Sequence, residues 1–224
     1  MSESQTRNGL DEDSRRPIAV LALAAGVFST ALLLSAAPPA KGTVEEQLAF
    51  VASHRGGYLI VEFAVLFWTV TSAAFVAGLG GLLGLRAGWI SPVAVVLSAG
   101  GILLLGFATY VSIGSSFAII AAGRPAVAGE DAYHALFWRQ MGILLTDPPL
   151  MAWGAGQIFF ARALRRTDVL PRWLAWTATV AGAAGVLASL QAPPVGVLLA
   201  LLTVAGFAVW SAGAGVCLLR SQRS

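Results

Sequence analysis

One cysteine, one lysine and two histidines among 224 residues narrow the chemistry before any motif is sought. Cys217 alone forms no disulfide within the chain and no thiol pair for redox exchange. It reads as a small packing residue. Lys41, the single lysine, falls in a loop, so no apolar stretch carries the amine of a Schiff base. His54 and His134 lie near Glu45, Glu46, Glu130 and Asp131, but no pair has metal-ligand spacing on one element. Neither a metal nor any other cofactor is expected. A Walker-type phosphate loop, a haem attachment motif and a GxSxG nucleophile turn are missing from the sequence. Charge is scarce as well: 11% of residues are charged and 57% hydrophobic, with a mean hydropathy of +0.78. No soluble surface can be built from the bulk of such a chain.

What is present is a set of six apolar stretches, each near the roughly 20 residues that cross about 30 Å of hydrocarbon. They cover 18–36, 58–85, 92–120, 137–160, 173–190 and 195–219. The expected fold is therefore all-α, a polytopic transmembrane helical bundle of six spans. Residues 1–16 form a polar leader expected to be disordered, 17–219 the transmembrane domain and 220–224 a short tail. Cytoplasmic loops retain positive charge during insertion. Arg7, Arg15, Arg16, Arg86, Arg162, Arg165, Arg166, Arg172, Arg220 and Arg223 fall on one side, and Lys41, Arg55, Arg124 and Arg139 on the other. Both termini are thus predicted to be cytoplasmic. The pI of about 9.6 is a topology signal, with anionic lipid headgroups as counterions and no nucleic-acid partner. Ser35, Ala36 and Ala37 look like a cleavage site, and Ser14, Arg15 and Arg16 like a twin-arginine start. The apolar run is long and its leader holds Glu3, Asp11, Glu12 and Asp13, so it is read as a retained span.

Between the first two spans, Thr43 and Glu46 have capping-box spacing, and Val44, Leu48 and Val51 recur at i, i+4 and i+7. They predict a short amphipathic surface helix ended by Gly56 and Gly57. The loop 121–136 carries Arg124, Glu130, Asp131 and His134. Small residues four apart let two backbones approach where lipid offers no hydrophobic drive. Gly80 with Gly84, Ala178 with Gly182 and Ala181 with Gly185 have that spacing, for packing within the bundle or a homodimer seam. Trp89, Trp138 and Trp173 read as interfacial anchors.

The fourth span contains Thr146, Asp147, Pro148 and Pro149 near mid-membrane. Adjacent prolines remove two donors and crowd the preceding turn, so a break is expected at Asp147-Pro148-Pro149, with Asp147 as N-cap of a second half-helix. A buried aspartate there costs about 2.5 to 3.5 kcal/mol on insertion scales, which makes Asp147 a site candidate. Glu62, a turn inside the second span, is the other costly residue. Thr69 continues its face, Tyr110 shares a face of the third span with Gly106 and Gly114, and Arg139 and Gln140 lie on or near the face of Asp147. Ser112, Ser115 and Ser116 add hydroxyls to the third span. These residues predict one outward-opening polar pocket. Broken helices line such cavities in transporters.

The segments Leu48-Ala49-Phe50-Val51-Ala52-Ser53-His54-Arg55 and Val169-Leu170-Pro171-Arg172-Trp173-Leu174, with the Gly-rich fifth span after them, resemble an uncharacterised bacterial family of six- or seven-helix integral membrane proteins. The resemblance implies a compact bundle in the bacterial plasma membrane and carries no reaction. Two functions fit the residues. One is a non-enzymatic bundle that binds a small or lipid-like ligand, or senses the envelope, as a regulatory or transport accessory among membrane lipids. The alternative is a membrane-embedded acid-base enzyme on an isoprenoid-like substrate, in the manner of a terpene cyclase. There Asp147 or Glu62 would be the catalytic acid, while Tyr110, Trp153 and Phe107 would stabilise positive charge.

Overall fold

The computed structural model describes residues 3–34, 46, 53, 55–121, 146–167, 169–191 and 194–221. Among them are six α-helices: α1 Glu3–Leu34, α2 Arg55–Ala87, α3 Ile90–Ala121, α4 Asp147–Arg165, α5 Arg172–Ala188 and α6 Val195–Arg220. No strand occurs among the described residues. The expected surface helix after the first span, the loop 121–136, Trp138, His54 and His134 lie largely outside them. So does the stretch that would precede the break at Asp147. α1 reaches back to Glu3, into the segment read as a leader.

Each helix packs chiefly on its sequence neighbours, and α6 closes on α1, so the bundle is a six-membered ring. Side-chain pairings make successive helices antiparallel. Ser29 meets Trp68 while Ile18 meets Gly78, which sets α1 against α2. Ser98 lies by Gly156 and Gly101 by Trp153, which sets α3 against α4. Gly206 lies by Ala181 and Gly213 by Trp173, which does the same for α5 and α6. The start of α1 and the end of α6 therefore share one end of the ring. The same alternation gathers Arg162, Arg165, Arg172 and Arg220 there.

Two turns explain the tightness of that basic end. Gly88 adopts φ 62°, the left-handed conformation that lets α2 stop and α3 start across two residues. Ser91 then donates its hydroxyl to the Gly80 carbonyl at 2.6 Å, locking α3 to α2. Pro171 precedes α5 in an extended conformation (ψ 146°) and so sets where that helix begins.

The ring is filled with aromatic rings. Trp68, Phe75, Trp153, Phe160, Phe207 and Trp210 are all buried, and they contact one another at centroid distances of 5.1 to 6.5 Å. Some hydroxyls inside it turn back on their own helices: Thr69 donates to the Val65 carbonyl at 2.8 Å and Ser211 to that of Phe207 at 2.8 Å. Such self-satisfaction is required where no water reaches the backbone. The outside of the ring is apolar as well. Val27, Phe67, Val96, Ile158, Trp176 and Leu198, one from each helix, are exposed. Among the described residues, four stretches are long and apolar enough to cross a membrane: Ser14–Leu34, Phe63–Gly84, Ile90–Val111 and Val195–Arg220. α5 has 17 residues, about 26 Å at 1.5 Å per residue, and falls short of that length.

Glycine brings α4 against both neighbours. A Cβ on Gly154 would lie 2.6 Å from the Gly182 carbonyl oxygen and 2.8 Å from the Val186 nitrogen, both backbone atoms of α5. On the other side, a Cβ on Gly101 of α3 would lie 2.5 Å from the Trp153 nitrogen. The small residues Ala178, Ala181, Gly182 and Gly185 are all buried inside the bundle, against α4 and α6. The other predicted pair divides: Gly80 meets Val95 of α3, whereas Gly84 has open space around it.

Candidate functional site

At the end of the ring opposite the arginines, all six helical segments surround a well of about 560 Å³. Its rim is Leu33 at the end of α1, Thr146 and Asp147 at the start of α4, and Gln191 just after α5. Its wall includes Leu105 and Thr109 of α3 and the stretch of α6 from Gly196 to Val204. Eight residues of helix make the well about 12 Å deep. Trp68 and Leu150 lie at its base, and beneath them the indole of Trp153 packs edge-on against Trp68 (5.6 Å, 72°) and Phe207 (5.1 Å, 73°). The lining is mostly apolar, with a few polar groups gathered at the mouth. That distribution suits an apolar ligand body with a polar end.

α4 begins one residue earlier than expected. Thr146 takes the N-cap position with no capping bond from its side chain, and Asp147 is the first helical residue. The reason is the proline pair. A capping side chain accepts from the second or third helical N–H, and here those positions are Pro148 and Pro149, which have none. The first free donor is the Leu150 N–H, and the Thr146 carbonyl accepts it at 3.0 Å. No donor is left for Asp147 to cap. Its carboxylate is exposed at the rim of the well instead.

The other expected site residues scatter. Thr69 is buried in the seam with α3, where its side chain would collide with any Cβ on Gly106, and its neighbour Trp68 lines the well in its place. Tyr110 is 55% exposed, and Thr109, one residue earlier, faces the well. A single step along a helix turns a side chain by about 100°, enough to exchange lining for surface. Phe107 is also exposed. Trp153 is fully buried under the well. Glu62 lies on α2, but its side chain is outside the described residues, as are Arg139 and Gln140 entirely.

The largest buried polar residue absent from the sequence reading is an amide. Gln157 on α4 is fully buried, and neither atom of its side-chain amide has a hydrogen-bond partner among the described residues. The indole nitrogens of Trp153 and Trp210 and the hydroxyls of Ser72 and Ser98 share that condition. The signal was available, since an amide between Ala155-Gly156 and Ile158-Phe159 interrupts an apolar run. An unmatched buried amide costs about 1 to 3 kcal/mol, and replacing it with an apolar side chain of similar shape removes that cost. Gln157→Met is thus expected to unfold at the same or a higher temperature than wild type in detergent. A fall of several degrees would reveal a partner for the amide.

An all-helical ring with an apolar exterior, four helices of spanning length and an apolar well fits the class of helical membrane proteins. No protein-family model, no curated protein and no solved structure matches the chain. Its helical, apolar character is consistent with the bacterial membrane-protein family that its short segments resemble.

Proposed function

We propose that this protein is a multi-pass protein of the bacterial plasma membrane, with six spans and both termini in the cytoplasm. Its outward-facing well binds a small or lipid-like ligand, and the protein acts as a regulatory or transport accessory. The well carries this reading: about 560 Å³ of mostly apolar space with an aspartate at its mouth. That volume lies within the roughly 300 to 1,000 Å³ common to small-molecule sites. The orientation follows the basic residues, because the arginine-rich end is the one retained in the cytoplasm, and this places the mouth outside. Asp147 would receive the polar end of the ligand while Trp68, Leu105 and Leu150 hold its body.

Native mass spectrometry with lipid extraction on wild type and Asp147→Asn tests this. Wild type is expected to carry a discrete bound molecule, and the variant to fold but hold it at least tenfold more weakly, since a hydrogen bond to a charged group contributes about 1.5 to 3 kcal/mol. The same lipid background in both proteins would sink the proposal. A second reading, the acid-base enzyme on an isoprenoid-like substrate, draws support from the aromatic base of the well, where Trp68 would face a carbocation with Trp153 and Phe207 packed behind it. It differs in outcome: the molecule extracted from Asp147→Asn would be the unreacted substrate, chemically distinct from that in wild type.

A further inference from the structure

On the outer flank of α5, away from the well, one arginine is held in an unusual place. Arg165 ends α4, yet its side chain runs back along α5, away from the basic end. The guanidinium carbon lies 4.4 Å above the centroid of the Trp176 ring. Nη2 donates to the Thr179 hydroxyl at 3.0 Å, and that hydroxyl in turn donates to the Ala175 carbonyl at 2.8 Å. The cation is therefore fixed one to two turns inside the start of α5. Trp176 is 63% exposed, and Val180 and Leu187 continue its apolar stripe on the outside of the ring. Among the described residues, no carboxylate is paired with Arg165.

A guanidinium stacked on an indole face, with one N–H held by Thr179, keeps its remaining edge donors for a ligand, and their forked geometry matches two oxygens of a phosphate. Arg162, Arg166 and Arg172 stand in the same turn region, and the sequence from 162 to 172 holds four arginines against one acid, Asp168. Residues 176 to 187 of α5 span about 17 Å, close to the roughly 15 Å of hydrocarbon in half a bilayer. Basic pockets between helices at the cytoplasmic face are a known arrangement for anionic lipid headgroups. We infer that the α4–α5 flank is a binding site for an anionic phospholipid, with the phosphodiester on the edge of Arg165 and an acyl chain along Trp176, Val180 and Leu187. This rests on the membrane reading and is independent of any ligand in the well.

The test is native mass spectrometry of the detergent-purified protein titrated with phosphatidylglycerol and, separately, phosphatidylcholine of the same chains. Phosphatidylglycerol is expected to bind at least fivefold more tightly. Arg165→Gln should weaken it roughly fivefold, the effect of about one basic residue beside an anionic leaflet, and leave phosphatidylcholine unchanged. Arg165→Lys keeps the charge without the planar fork and should fall between. Arg223→Gln, which removes the same charge at the tail, should have little effect. Equal loss in Arg165→Gln and Arg223→Gln would reduce the preference to net charge and overturn the site. Displacement by millimolar inorganic phosphate would overturn the lipid as its occupant. If neither lipid binds, the site is overturned, while the membrane reading still stands on the spanning helices. Should Arg165→Gln fail to fold, Thr179→Val, which frees the guanidinium from its anchor, must show the selective loss or the proposal fails.

Discussion

Gly154→Leu is expected to yield no folded bundle, and Gly154→Ala to lower stability by about 2 to 4 kcal/mol, a large share of the 5 to 15 kcal/mol of a typical fold. The argument is steric. The first atom added at Gly154 lies 2.6 to 3.1 Å from three backbone atoms of α5, and backbone cannot rotate away as a side chain can. Either α4 and α5 separate, exposing the seam of Ala178, Gly182 and Gly185, or the helix bends. α4 has little freedom to shift the other way, because Gly101 of α3 holds it equally closely at the Trp153 nitrogen. Gly84→Ala is the control. No described residue lies within 4 Å of a Cβ there, so alanine in place of glycine in a helix should be neutral or stabilising by up to about 1 kcal/mol. Denaturant or thermal unfolding in detergent reads both. Equal stability of Gly154→Ala and wild type would mean that α4 and α5 do not cross in backbone contact.

Trp153→Ala should be the most damaging large-to-small change, at about 3 to 5 kcal/mol. The ring is completely buried and contacts both Trp68 and Phe207. Its removal links the well to the space left beneath Leu150. A second effect follows from that position. The variant, where it folds, should accept a longer ligand than wild type, because the well gains depth along its axis. Trp153→Phe keeps most of the ring volume and loses an indole nitrogen that has no partner. It should cost less than half as much. Unfolding curves separate the two variants, and native mass spectrometry with a homologous series of alkyl probes reads the depth. An unchanged length preference in Trp153→Ala would place the base of the well elsewhere.

Much of the helical frame was legible because apolar run length is a direct physical requirement. The expected limits of the spans at 18–36, 58–85 and 195–219 fall within a few residues of the helical limits or inside them. The start of α5 after Pro171 follows from a residue with one dominant backbone preference, and the turn at Gly88 from one free to take a positive φ. The site was less legible. Asp147 was singled out from its depth, and the structure puts it at the mouth of the well. The role assigned to it as a cap failed, since the first free N–H after the prolines, that of Leu150, goes to the Thr146 carbonyl. Thr69 and Tyr110 were chosen for their chemistry, and the well takes Trp68 and Thr109 instead. Polarity indicates that a residue needs a reason to be in the membrane, but not which way it faces. Gln157 shows the converse, a costly amide passed over because nothing in its spacing distinguishes it.

The sequence by itself determined that the chain is helical, that its helices present apolar surface on their outer sides, and that its arginines favour alternate connections. These are properties of composition and run length, summed over many residues and insensitive to small errors of register. Only the tertiary structure decided that the six helices close into a ring and that glycines set α4 between α3 and α5 in backbone contact. It also decided which side chain of each adjacent pair looks into the well. Those outcomes depend on the rotation of each helix about its axis, where one residue is about 100°. That rotation is set by which small residues let two backbones meet, a matter of pairs distant in sequence rather than of any segment alone.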